Sequence, residues 1–167
     1  PIPGQAASWT ISPDQKVYTF KLRDGIKWSD GQPVTAQDFV FAFQRLMDPK
    51  TAAQYAYLQY TILNAEKINK GEIKDLTQLG VKAIDDKTLE ITLENPTPYF
   101  LNALMHYTAY PLPKHVVEAK GADWVKIGNN VTNGPYKPSE WVTGSHATTD
   151  KNDQYYGAKD LKIDGAK

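Results

Sequence analysis

Large apolar side chains at every second position predict a β-strand close to the start of the chain. They occur at Tyr18, Phe20 and Leu22, and this period of two is typical of a strand with one buried face. The turn dipeptides Asp24-Gly25 and Asp30-Gly31 follow this strand. Between them, a second short strand is expected to fold back on the first.

After these turns the spacing of apolar residues becomes that of an amphipathic helix. Thr35 supplies a hydroxyl for the N-cap, and Asp38 places a carboxylate in the first turn, where the helix dipole favours it. The pair Asp48-Pro49 ends the helix, because proline disfavours helical backbone in the residue before it. The stripe that is expected to face the core consists of Phe39, Val40, Phe43, Leu46 and Met47.

Downstream, short helical and extended patterns follow one another. A hairpin is predicted from residues 81–84 and 88–93, in which Leu89, Ile91 and Leu93 share one face. Short helices are predicted at residues 52–60, 64–70, 99–105, 114–119 and 122–127. This order predicts an α+β fold of short antiparallel strands with several short helices.

The pattern is weaker near the C-terminus. Trp141-Val142-Thr143 favours a strand. Residues 144–152 are almost wholly polar and lack the alternation that a returning strand would show.

The amino-acid composition limits the classes of molecule that the chain is expected to bind. Hydrophobic residues make up 41% and charged residues 23% of the 167 residues, as in an ordinary soluble globular protein. Nineteen Lys and Arg balance nineteen Asp and Glu, so no net charge favours nucleic acid or an anionic membrane. No cysteine is present, which excludes thiol chemistry, and no apolar run approaches the roughly 20 residues of a membrane span.

The sequence predicts neither catalysis nor a metal or other cofactor. His106, His115 and His146 are scattered, without a second ligand four residues away, so a zinc site is not expected. The serines lie in no nucleophile-elbow motif and have no obvious base nearby in the sequence. Turn chemistry explains the carboxylate pair Asp85-Asp86. A protein that is not an enzyme is therefore predicted.

Tyrosine is the residue type that favours a binding function. The chain has ten, of which Tyr55, Tyr57 and Tyr60 cluster after Pro49, and Tyr110 lies in a loop-like stretch. An exposed tyrosine offers a rigid apolar ring and one hydroxyl, which suits recognition of a peptide backbone whatever its side chains. The alternative is that these rings cover the edge of the core. Both interpretations stay open for Tyr55 and Tyr110, and the pattern alone favours the core for the others.

Distinctive motifs are spread along the chain from Tyr18 to Tyr136. They are Tyr18-Thr19-Phe20-Lys21-Leu22-Arg23, Lys27-Trp28-Ser29-Asp30-Gly31, Val34-Thr35-Ala36-Gln37-Asp38-Phe39, Gly80-Val81-Lys82-Ala83, Pro98-Tyr99-Phe100 and Thr132-Asn133-Gly134-Pro135-Tyr136. Taken together, they resemble the peptide-binding branch of the extracytoplasmic solute-binding proteins that serve ABC importers.

The resemblance implies part of a two-lobed periplasmic binding protein fold. Members of that family are much longer, with two lobes that close over the ligand, and this chain resembles only the part near their N-terminus. Residues 1–143 would form the extra subdomain of the peptide-binding branch with an edge of the first lobe. Residues 144–167 would be a truncated polar segment that returns toward that lobe. The implied function is that of a receptor fragment that binds oligopeptides when full length.

A site, partners and a location are also implied. Tyr55 matches a tyrosine that borders the peptide cleft, although a shorter neighbouring loop would let Tyr57 take this place. Tyr110 is a candidate from composition. The implied partners are an oligopeptide and ABC permease subunits, in the periplasm or, in a Gram-positive organism, outside the cell as a surface lipoprotein. The alternative function is that of an isolated structural or interaction module without a ligand of its own.

Overall fold

The computed structural model describes residues 2–167, which divide into two compact units. The first unit contains the residues up to Arg23 together with Thr35–Leu112. The second contains Asp24–Val34 together with Pro113–Lys167. Both combine short helices with antiparallel strands, so the predicted α+β class is confirmed.

A four-stranded antiparallel sheet forms the centre of the first unit. Its strands, in the spatial order β1-β2-β4-β3, are β1 (Ala6–Ile11), β2 (Val17–Leu22), β3 (Val81–Asp85) and β4 (Thr88–Thr92). Tyr18, Phe20 and Leu22 are buried in β2, and Leu89 and Ile91 are buried in β4. The alternating pattern therefore predicted both the strand and the hairpin, which are confirmed.

Helix α1 (Ala36–Met47) packs against β3 and β4 and begins at the predicted cap. Thr35 and Asp38 form a capping box, in which the Thr35 backbone N–H donates to Asp38 Oδ2 at 2.9 Å. Phe39, Phe43 and Met47 of the predicted stripe are buried. The helix ends at its C-cap, Asp48, directly before the proline that predicted its end.

The other helical segments of this unit are short. Helices α2 (Ala65–Asn69) and α3 (Phe100–Ala103) lie within the predicted ranges 64–70 and 99–105. Single 3-10 turns occupy Pro49–Thr51, Ala56–Gln59, Leu76–Gln78 and Tyr107–Ala109. The helix predicted at 52–60 is thus a 3-10 turn in its second half.

In the second unit, helix α4 (Lys114–Lys120) and a 3-10 turn at Gly121–Val125 match the two helices that were predicted there. A three-stranded antiparallel sheet follows, with strands β5 (Tyr136–Val142), β6 (His146–Lys151) and β7 (Gly165–Ala166) in that order. A further 3-10 turn at Ala158–Asp160 connects β6 and β7.

Two parts of the fold differ from the sequence expectations. The segment after β2 does not fold back on that strand, whose neighbours are β1 and β4; instead, the Trp28 N–H donates to the Gln32 carbonyl within a tight loop. The polar segment 144–152 contains strand β6, which its pattern did not indicate. Pairing with β5 forms this strand, because the hydrogen bonds between the two strands do not require apolar alternation.

The chain crosses between the two units after Arg23, Val34 and Leu112. The predicted division at residue 143 concerns the lobes of a larger protein and stays a prediction.

Candidate functional site

Aromatic rings from two short turns of the first unit meet at its surface. Tyr55 occupies the N-cap position of the 3-10 turn Ala56–Gln59. Its ring centroid lies 6.2 Å from the ring centroid of Tyr57, 5.7 Å from that of His106 and 6.2 Å from that of Tyr107. The Tyr55 and Tyr107 rings stand edge to face, at an interplanar angle of 86°. We call Tyr55, Tyr57, His106 and Tyr107 the aromatic cluster.

The predicted tyrosines are exposed, which argues against a core role. Tyr55 is 43% exposed, Tyr57 is 56% exposed and Tyr110 is 57% exposed. Tyr55 and Tyr57 lie together in the cluster, whereas Tyr110 forms no ring pair with it among the described residues. The Tyr110 hydroxyl instead donates to the Met105 carbonyl at 3.4 Å.

A buried polar side chain holds the two turns together. Gln59 is fully buried, and its Nε2 donates to Thr108 Oγ1 at 3.1 Å and to the Ala103 carbonyl at 3.3 Å. Thr108, also buried, lies 3.1 Å from His106 through Oγ1 and Nδ1. The cluster is therefore fixed by hydrogen bonds from below as well as by ring contacts.

The sequence identified two of the four cluster residues. It treated His106 as an isolated surface or core histidine, favoured the core for Tyr107 and gave no role to Gln59. The core assignment is wrong for Tyr107, which is 59% exposed. The signal for them was weak, because the two turns are separated by about fifty positions and meet only in the fold. The dipeptide His106-Tyr107 beside Tyr110 was the one local hint of aromatic density.

Shifted pKa values arise in surface turns and helices outside the cluster. The Thr77 hydroxyl, followed by the Thr77 backbone N–H, lowers the pKa of Asp75. The hydrogen bond to Glu66 raises the pKa of Lys70. These shifts stabilise local structure and do not indicate acid–base chemistry.

Ser145, His146 and Glu140 meet on the β5–β6 hairpin of the second unit. His146 Nδ1 lies 3.0 Å from Ser145 Oγ, and His146 Nε2 lies 2.9 Å from Glu140 Oε2. The expectation that the serines have no nearby base is therefore wrong for Ser145. Ser145 and Glu140 are exposed, and the Thr148 hydroxyl also donates to the same Glu140 oxygen at 3.3 Å. These contacts are therefore best explained as hydrogen bonds that stabilise the hairpin.

Over residues 2–167, no group of three or more His, Cys, Asp or Glu side chains is arranged to hold a metal ion. Within the same residues, no helix has the length and apolar character to cross a membrane.

Comparison with known proteins gives a consistent result. Residues 1–167 match the family model described as bacterial extracellular solute-binding proteins, family 5, middle part. The chain is 49% identical over 158 residues to the periplasmic oligopeptide-binding protein OppA of Escherichia coli, covering 93% of this chain and 29% of that protein. It is 48% identical over 159 residues to the probable deoxycholate-binding periplasmic protein YgiS of the same organism, covering 94% of this chain and 30% of that protein.

A solved structure shares the fold. The substrate-binding domain of an oligopeptide ABC transporter from Bacillus anthracis superposes with a TM-score of 0.95 at 50% identity, over 99% of this chain and 32% of that one. The chain thus spans less than a third of the length of these relatives.

Proposed function

This chain belongs to the bacterial extracellular solute-binding proteins of family 5, and we propose that it is part of a receptor that binds oligopeptides for an ABC importer. The observation that carries the proposal is the 49% identity to an oligopeptide-binding protein over 158 residues. The family is described as extracellular, which supports a receptor that acts outside the cytoplasm. It would capture a peptide and deliver it to the permease subunits.

The proposed ligand contacts are Tyr55, Tyr57 and Tyr110. Their exposure supports this role, since a ring that served only the core would be covered. Tyr55 is the strongest of the three, because it stands at the centre of the aromatic cluster and contacts each of its other members. Rings and hydroxyls of this kind bind a peptide through stacking and single hydrogen bonds.

Within such a receptor, residues 1–143 would supply the extra subdomain with an edge of the first lobe. Residues 144–167 would return toward that lobe. The division of the chain supports part of this prediction, because the first unit contains all four strands of one sheet and the core that packs on it.

A role without catalysis is part of the proposal. The Ser145–His146–Glu140 contacts are the nearest approach to catalytic chemistry, and they lie on an exposed hairpin turn. The chain should therefore hydrolyse p-nitrophenyl acetate no faster than its Ser145→Ala variant. A clear difference between the two would indicate an esterase activity and contradict the proposal.

The decisive experiment is calorimetry on the full-length receptor with a tri- to pentapeptide library, with deoxycholate as a second ligand. Deoxycholate is included because a relative of nearly equal identity is named for it. Peptide binding that weakens in Tyr55→Ala supports the proposal. Binding of deoxycholate alone would make deoxycholate, and not a peptide, the ligand of the receptor. Binding of neither would favour the alternative function, an interaction module without a ligand of its own.

A binding measurement on the isolated 167-residue chain tests whether these residues are only part of a peptide site. One wall of a cleft leaves most of a peptide hydrated and offers no closure energy, so the isolated chain should give no heat above dilution with the same library. Micromolar binding by the isolated chain would show that these residues carry the site alone.

A further inference from the structure

Gln59 joins the two turns that carry the aromatic cluster, and its neighbours fix the orientation of its amide. Nε2 lies 3.3 Å from the Ala103 carbonyl oxygen and 3.1 Å from Thr108 Oγ1. A carbonyl oxygen only accepts hydrogen bonds, so the amide nitrogen must face Ala103. The same nitrogen then donates to the Thr108 hydroxyl.

Thr108 transmits this direction to His106. Because its Oγ1 accepts from Gln59, the hydroxyl hydrogen points away from the amide, and His106 Nδ1 lies 3.1 Å from Oγ1. The Thr108 backbone N–H is also directed at Nδ1, at 3.4 Å. A backbone N–H can only donate, so Nδ1 is the acceptor and the Thr108 hydroxyl adds a second donor to it. The hydrogen of the neutral ring then lies on Nε2.

The Nε2–H of His106 is available to a ligand. It has no hydrogen-bond partner among residues 2–167, and the ring is only half-buried. Its centroid lies 5.7 Å from that of Tyr55 and 4.2 Å from that of Tyr107. One fixed donor thus stands among exposed rings.

Gln59 is not needed for packing alone. Its Oε1 is buried without a hydrogen-bond partner among the described residues, and such an acceptor is unfavourable in a core. An apolar side chain of similar volume would avoid this cost. The amide at this position therefore does more than fill space: it links the two turns and sets the direction of the Thr108 hydroxyl.

We infer that Gln59, acting through Thr108, is a positioning residue that holds His106 in its Nε2–H form to donate a hydrogen bond to a main-chain carbonyl oxygen of a bound peptide. The inference rests on the proposed ligand contact at Tyr55. Every peptide carries such carbonyl groups, so this contact is independent of the peptide's side chains.

The hydrogen-bond relay is tested first in the 167-residue chain without any ligand. Long-range nitrogen–proton NMR of His106, at a pH where the ring is neutral, should show the Nε2–H tautomer. Thr108→Val removes the hydroxyl at nearly constant volume and should raise the population of the Nδ1–H tautomer, whereas Thr108→Ser should restore the original one. An unchanged tautomer in a cooperatively folded Thr108→Val variant would overturn the relay.

The role in binding is tested in the full-length receptor with the tightest ligand of the tri- to pentapeptide library. His106→Phe keeps a ring in the cluster and removes the donor, and we expect roughly three- to tenfold weaker binding. Thr108→Val should weaken binding in the same direction, and Thr108→Ser should stay within about twofold. Unchanged affinity in His106→Phe would overturn the contact.

Tyr55→Ala keeps the two proposals distinguishable. If it weakens binding while His106→Phe does not, the aromatic cluster still contacts the ligand, and the proposed hydrogen bond from His106 is wrong. If neither variant changes the affinity, the proposed site itself is wrong.

Discussion

Ser29 and Thr132, which are 103 residues apart in the sequence, are joined by two hydrogen bonds in the second unit. The Ser29 N–H donates to the Thr132 carbonyl at 2.8 Å, and the Thr132 N–H donates to Ser29 Oγ at 3.2 Å. Asn152 extends this junction, since its Nδ2 donates to the Gly134 carbonyl at 2.8 Å. Two motifs that look independent in the sequence are therefore parts of one structural element.

Asn152→Ala should destabilise the second unit by about 1–3 kcal/mol, because it leaves the Gly134 and Thr132 carbonyls without their donor. Asn152 is 1% exposed, so water cannot easily replace the lost bond. Denaturant unfolding with probes in each unit would measure the effect. The neighbouring exposed residue serves as the control, and Asp153→Ala should change little. Equal effects of the two variants would refute a special role for Asn152.

Gly80→Ala should be strongly unfavourable although Gly80 lies in an ordinary backbone region. A Cβ there would lie 2.5 Å from the Thr92 carbonyl oxygen and 2.7 Å from Leu63 Cβ. The backbone at Gly80 would have to move away from Thr92 and Leu63, at a cost of about 1–3 kcal/mol or more. Gly4→Ala is the matched control, since a Cβ at Gly4 meets nothing within 4 Å. Similar thermal midpoints for both variants would contradict the packing argument.

Tyr55→Ala and Phe43→Ala should differ sharply in stability. Phe43 is 1% exposed, and its loss should cost about 3–5 kcal/mol, whereas half-exposed Tyr55 should cost clearly less. Chemical denaturation of the 167-residue chain gives both values. Equal destabilisation, with unchanged peptide affinity in the full-length receptor, would assign Tyr55 to the core.

Thr77→Val should raise the pKa of Asp75 toward its ordinary value of 3.8, because the Thr77 hydroxyl is the largest cause of its lowering. Folding favours the charged form here, so the stabilisation is complete above that ordinary value and is lost as the pH falls through the lowered pKa. Thr77→Ser should keep the shift. NMR titration of the Asp75 carboxyl group measures both, and an unshifted midpoint in Thr77→Val would contradict the assignment.

Local signals predicted α1, β2 and the β3–β4 hairpin well. The capping box of Thr35 and Asp38 and the alternation around Phe20 lie within a few residues of the structure that they specify. Strand β6 could not be predicted in this way. Its polar residues form a strand because they pair with β5 and β7, and those partners are invisible in the local pattern.

The site was predicted in the same partial way. Exposed tyrosines could be proposed from composition and resemblance, and Tyr55 and Tyr57 do lie together. The inclusion of His106 depends on a contact between two turns that are distant in the sequence, and Gln59 resembles any polar residue of a helix. Such tertiary contacts produce no periodic pattern in the sequence from which they could be predicted.

The division of the chain sets an order in which its parts can be completed. All four strands of the first sheet lie before Pro113, so that unit can close while the chain is still being made. The segment Asp24–Val34 is made early but belongs to a unit whose remainder begins at Pro113. Ile26, Trp28 and Val34 belong to this segment and are buried in the structure. We therefore expect their side chains to stay exposed to solvent until the residues from Pro113 onward have been synthesised.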